Sequence, residues 1–107
     1  MEIDHKNKHE QDITKELYEA ILLLKNTEEI HRFFKDLCTP QEITALSERW
    51  RVCKILDQRQ LSYREINSEI GASLATIGRV ARFLNNESYG GYQLVLERMK
   101  SSKKEKL

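Results

Sequence analysis

Residues 61–84 read LSYREINSEIGASLATIGRVARFL, and such a run admits little besides two helices joined by a tight turn. Ser62 can cap a helix, and Glu65 stands three residues later. At that spacing each side chain satisfies the other residue's backbone N–H. Ile66 and Ile70 form an apolar stripe at i, i+4. Gly71 ends the helix where a turn needs positive φ, and it is also expected to let the two helices approach closely. Ser73 can cap a second helix, with Leu74, Ile77, Val80, Ala81 and Leu84 as its buried face and Thr76, Gly78, Arg79 and Arg82 on the other sides. Gly71 lies five residues after Ile66, six before Ile77 and nine before Val80. That spacing is the one at which a helix-turn-helix packs its helices at a steep angle. An ordinary helical hairpin is the plainer alternative. Small Ala75 and Thr76 at the start of the second helix argue against it, because they suit a groove-facing tip where a packing helix would carry bulk.

The rest of the chain also reads as helix. A first helix is expected over Asp12 to Lys25, with Ile13, Leu17, Ala20, Ile21 and Leu24 as its stripe and Leu22 and Leu23 widening it. Thr27 is expected to cap a second, with Glu28 and Glu29 in its first turn and Ile30, Phe33, Phe34 and Leu37 buried. Thr39-Pro40-Gln41-Glu42 starts a third, running to about Gln58 with Trp50, Val52, Cys53, Ile55 and Leu56 among its apolar positions. After the polar break Asn85-Asn86-Glu87-Ser88, a last helix spans about Tyr92 to Lys100. The organisation expected is a flexible tail over 1–10, one helical domain over 11–100 with the helix-turn-helix at 62–85, and a disordered charged tail over 101–107. Apolar residues on several faces exceed what 107 residues can hide alone, so a symmetric homodimer is expected, exchanging its first two helices and its last between protomers.

No apolar run is long enough to span a membrane, and the amino-terminal MEIDHKNKHEQD has no apolar centre for a signal peptide. A cytoplasmic location is expected. Net charge is only +1, so any attraction to nucleic acid must come from where cations sit, not from their excess. Cys53 lies in an apolar helical run and reads as core. Neither it nor Cys38 has partners at zinc-ligand spacing. His5 and His9 are one helical turn apart, but in a polar tail. No metal and no cofactor are expected. No Ser-His-Asp or Cys-His arrangement, phosphate loop or carboxylate pair stands out, and no catalytic residue is assigned.

The pieces Thr39-Pro40-x-Glu42-x-x-Ala45-Leu46, Arg49 three residues on, Ser62-x-Arg64-Glu65-x-x-x-Glu69-Ile70-Gly71-Ala72 and Ala75-Thr76-Ile77-x-Arg79 resemble the Trp repressor family over about Leu37 to Lys100. The amino-terminal helices match in pattern only. The resemblance implies an all-α, six-helix, intertwined homodimer that represses transcription by binding a palindromic operator in double-stranded DNA. It places DNA-reading positions at Leu74, Ala75 and Thr76, with Arg64 on the preceding helix. Asn67 stands where the family has a further basic residue, and Gly78 where it has a threonine near the tip, so a different operator is expected.

Arg49 and Arg79 match the two arginines that sandwich bound tryptophan in the family. A surface ion pair with Glu48 or Glu42 is the plain alternative for Arg49, and a phosphate contact for Arg79. The family's glycine after the second arginine is Val80 here, and its serine three residues further is Phe83. Both are expected to fill the pocket from within, so tryptophan is not expected as the effector. A pocket reshaped for another small molecule is the alternative. The competing function is a helical adaptor for protein or RNA that kept the fold and lost specific DNA binding.

Overall fold

The computed structural model describes residues 2–86 and 89–106, with side chains described over 9–86 and 89–103. The described residues form six helices and no strand: α1 Glu2–Leu22, α2 Thr27–Leu37, α3 Pro40–Gln58, α4 Tyr63–Ile70, α5 Leu74–Asn85 and α6 Gly91–Lys106. They fall into two compact units, Met1–Ile43 and Thr44–Leu107.

Local chemistry sets the helix starts. Thr39 Oγ1 accepts the Glu42 N–H at 3.1 Å, and a Glu42 carboxylate oxygen accepts the Thr39 N–H at 2.8 Å. The Ser62–Glu65 box repeats the pattern at 3.2 and 3.0 Å. Two further starts use one cap each, Asn26 for α2 and Ser73 for α5.

Several boundaries differ from the sequence reading. Asn26, not Thr27, is the N-cap of α2: its Oδ1 accepts the Glu29 N–H at 2.9 Å, while the Glu29 carboxylate accepts the Lys25 N–H at 2.9 Å. Starting one residue earlier lets the acid reach back to a second orphan donor. α1 begins at Glu2, ten residues before the expected Asp12, and ends at Leu22. α6 covers Gly91–Lys106 in place of Tyr92 to Lys100. Both segments expected as tails are helical where described. They are rich in Lys and Glu and hold no Gly or Pro, so nothing in them stops helix propagation. The side chain of His5, and Glu87 and Ser88 of the expected polar break, lie outside the described residues.

The second unit has a well-formed core. Val52 and Cys53 of α3, Ile66 of α4, Ala72 of the turn, Ile77, Val80 and Leu84 of α5, and Leu96 of α6 form one buried cluster. Two contacts hold α6 to it: Gln93 Nε2 donates to the Leu84 carbonyl at 3.0 Å, and Lys100 pairs with Asp57 at 3.0 Å. Cys53 is fully buried, as its apolar context implied. Burial, then the nearby Asp57 charge, pushes its thiol up to about 11, so it stays protonated and inert. Among the described residues of the first unit none is fully buried, and α2 holds no buried residue. Ile30, Phe33, Phe34 and Leu37, expected to be its buried face, are half-buried or exposed.

Gly71 sits at φ +74, the left-handed conformation a helix C-cap demands. A Cβ built there would meet nothing within 4 Å. The expectation that this glycine permits close helix approach is therefore corrected: only its backbone conformation requires it. Gly71→Ala should cost about 1 kcal/mol of unfolding free energy, and Gly71→Asn distinctly less, since Asn tolerates this conformation; denaturant melts of the two variants check this.

The Thr39 and Ser62 hydrogen bonds, backbone first and side chain second, hold the Glu42 and Glu65 carboxyls below the usual carboxylate range. Their folded values are depressed, so the stabilisation is present above that range and fades as pH falls through it. Glu65→Gln keeps an acceptor at this position, and thermal melts should show it less acid-sensitive than the parent chain.

Candidate functional site

The second unit presents α5 as the second helix of a capped helix-turn-helix. Ser73 Oγ accepts the Thr76 N–H at 3.1 Å and donates to Thr76 Oγ1 at 3.0 Å. The Thr76 hydroxyl thus has its acceptor capacity partly used and its own proton to offer outward. The helix carries no acidic residue and two arginines, Arg79 and Arg82. Its positive N-terminal end is therefore not neutralised from within the helix.

The helix sorts its residues by face. Ile77, Val80, Ala81 and Leu84 are buried. Ala75, Arg79 and Phe83 follow one another at i+4 along another side, with Thr76 three residues before Arg79. Ala75 and Arg79 are exposed, and Thr76, Gly78 and Phe83 are half-buried. Leu74, expected within the buried stripe, is 55% exposed. It is the first helical residue, and the chain arriving from the turn gives that end no neighbour to cover it. It joins exposed Ala75 and half-buried Thr76 in the first turn of the helix.

On α4, Arg64 and Asn67 are both exposed. Asn67 does something its sequence position did not announce. Its Nδ2 donates to the carbonyl of Ala72 at 2.7 Å, tying α4 across the turn to the residue just before the α5 cap. A buried turn carbonyl is thereby satisfied. Spacing alone could have hinted at it, because Asn readily bonds backbone a few residues away.

The four residues assigned to a pocket do not gather in one place. Arg79 and Phe83 line an open cavity of about 530 Å³ with Trp50, Tyr92 and Val95 among its other walls. Val80, expected to project into that space, is 1% exposed and belongs to the core cluster with Val52 and Ile77. Arg49 is half-buried on α3 and is not among the residues lining the cavity. The Arg79 guanidinium lies over the Phe83 ring, 4.6 Å from its centroid, and that of Arg82 lies 5.8 Å away. Trp50 and Tyr92 pair at 6.4 Å between ring centroids. Neither aromatic announces itself as a wall residue, since at helical spacing both read as core.

Comparison with known proteins gives a consistent picture. The family model described as Trp repressor protein matches residues 13–100, reaching well into the amino-terminal helices that matched in pattern only. The chain is 43% identical over 107 residues to the uncharacterized protein YerC of Bacillus subtilis, covering 98% of this chain and 96% of that one. The structure of a candidate Trp repressor from Staphylococcus aureus is similar with a TM-score of 0.77 and 45% identity, over 83% of this chain and 87% of that one. A TrpR-like protein from Eubacterium eligens gives a TM-score of 0.79 and 42% identity, over 88% and 95% of the two chains.

Gly78 interrupts α5 one turn beyond its tip, and a Cβ built there would meet nothing within 4 Å. Its absent side chain costs helix stability without relieving any crowding inside the chain. Gly78→Ala should therefore raise stability by about 0.5–1 kcal/mol, read as an upward shift of the urea midpoint.

Proposed function

We propose that this chain, which belongs to the Trp repressor protein family, is a sequence-specific DNA-binding transcriptional regulator. It acts in the cytoplasm as a homodimeric repressor and does not respond to tryptophan. The observation that carries this reading is the acid-free leading end of α5, with exposed Leu74, Ala75 and Arg79 and half-buried Thr76, started by the Ser73 cap directly after an α4 bounded by the Ser62 box and left-handed Gly71.

In this reading the tip of α5 enters the major groove. Small Ala75 lets backbone and water approach base edges, and the Thr76 hydroxyl offers a donor. Gly78 leaves room for the duplex. Arg64 reaches a base or a phosphate from α4, and Arg79 a phosphate. Asn67 sets the crossing of the two helices more than it reads DNA. A chain with net charge +1 can bind in this way because its cations are placed locally and a dimer doubles them.

Unpartnered apolar residues support the dimer. Leu22 and Leu23 at the end of α1 are 82% and 77% exposed, and Leu94, Val95 and Met99 of α6 are each at least 40% exposed. A second copy covering them is the economical answer to surface that water disfavours. The tryptophan-independent reading rests on Arg79, whose guanidinium already lies against the Phe83 ring, and on Phe83 standing where the family holds the ligand's polar end. No described helix is long and apolar enough to cross a membrane. The adaptor alternative draws on the small net charge and on Asn67, whose amide is turned to the Ala72 carbonyl.

Selection from random duplexes should recover a two-fold repeat with half-sites about one helical turn apart. Binding should weaken steeply with salt, and Arg64→Ala should cost about 1–3 kcal/mol if Arg64 meets a base. Affinity that ignores salt would favour the adaptor. Sedimentation should show a dimer at micromolar concentration, and a folded monomer there would overturn that part. L-tryptophan should give no calorimetric signal below millimolar concentration and no tightening on DNA.

A further inference from the structure

We propose that Phe83 is a positioning residue: its ring orders the Arg79 guanidinium on the exposed side of α5, so that the arginine is set for a DNA phosphate without any bound small molecule. This rests on the DNA-binding reading above and adds the device that presents the cation.

Register and distance carry the argument. Phe83 follows Arg79 by four residues, one turn along the same side of the helix, and Ala75 precedes Arg79 by four. The guanidinium carbon lies 4.6 Å from the ring centroid, inside the range where a cation is drawn to an aromatic face, and the Arg82 guanidinium lies 5.8 Å away, near its limit. The ring is itself anchored, half-buried in the wall of the cavity that Trp50, Tyr92 and Val95 also line. An exposed arginine loses much rotamer freedom when it grips a phosphate. Stacking beforehand on a fixed ring removes part of that loss and leaves the N–H edge of the planar guanidinium free to donate. A serine at this position would offer no surface to stack on.

The test uses the full chain and a duplex recovered by selection. It compares the parent with Phe83→Leu, Phe83→Tyr, Arg79→Ala and the Arg79→Ala/Phe83→Leu pair, with circular dichroism melts showing which variants are folded. Phe83→Leu should weaken DNA binding roughly twofold to fivefold, and the slope of log affinity against log salt should become shallower by about one to two phosphate contacts per dimer. Phe83→Tyr keeps the ring and should restore both. In the Arg79→Ala background Phe83→Leu should change nothing further, because the two residues act as one unit. In the DNA-free parent, the Arg79 side-chain N–H resonance should show a ring-current displacement that Phe83→Leu abolishes. An equal loss from Phe83→Leu with and without Arg79, or an unchanged salt slope, would overturn the proposal. So would tight DNA binding with no ring-current displacement, and that outcome would leave the DNA-binding reading intact. Displacement present in a parent that binds no duplex would overturn both.

Discussion

Ile66 of α4, Ala72 of the turn and Ile77 of α5 are fully buried together with Val52 of α3, and the direction in which α5 points depends on that burial. Burying each isoleucine contributes about 1.5–3 kcal/mol, while a helix cap contributes about 1 kcal/mol. The caps therefore decide where the helices begin, and the cluster decides how they cross. Between them sits a turn only three residues long, Gly71 to Ser73. None of the three is a mere spacer. Gly71 supplies the left-handed backbone, Ala72 fills the core and receives the Asn67 amide, and Ser73 caps α5. So short a connection cannot absorb a change in one partner without turning the helix that follows.

That economy explains how a chain nearly neutral overall can still carry a directed charge. Acids are present, but those described at the helix-turn-helix start are spent on local work, as the Glu65 carboxylate is in accepting the Ser62 N–H. On α5 itself there is none, and its two arginines lie on the side away from the core, near one aromatic ring. Charge placement, rather than charge balance, is what the fold controls here. Salt dependence is consequently a better measure of such a surface than its isoelectric point.

What is legible in the sequence is what local chemistry governs. Ser62-x-x-Glu65 and Thr39-x-x-Glu42 announce their boxes because all partners lie within three residues, and Gly71 announces the turn because few other residues accept its backbone. Ile77, Val80, Ala81 and Leu84 follow from periodicity alone. The departures share a cause, which is that pattern does not see neighbours. Leu74 fits the same periodicity as the buried stripe, yet the first residue of a helix has no preceding turn to lie against, so period does not imply burial there. Asn26 and Thr27 are both good caps, and the choice falls to whichever lets Glu29 reach back. Sequence position suggests that Val80 and Phe83 fill one space. Although three positions apart, and so near one another on the helix, Val80 is buried in the core while Phe83 lines the cavity.

The parting of Val80 from Phe83 has a consequence for how such a fold can be regulated. A residue that blocked a ligand site by bulk would leave the arginine beside it idle. Here the bulk of Val80 is absorbed by the core, where it stabilises the helix pair, and the ring of Phe83 meets the Arg79 guanidinium. Val80 thus serves packing, and in the proposed reading Phe83 serves charge. A small molecule that sets a helix angle does so by binding one arrangement more tightly than another, and its effect ends when it leaves. If Phe83 presents Arg79 as proposed, that side chain is always present, and the placement of the arginine does not depend on a concentration. In the dimeric reading proposed above, exposed Leu22 of α1 and Leu94, Val95 and Met99 of α6 would tie a two-fold DNA surface to association of the chain with itself.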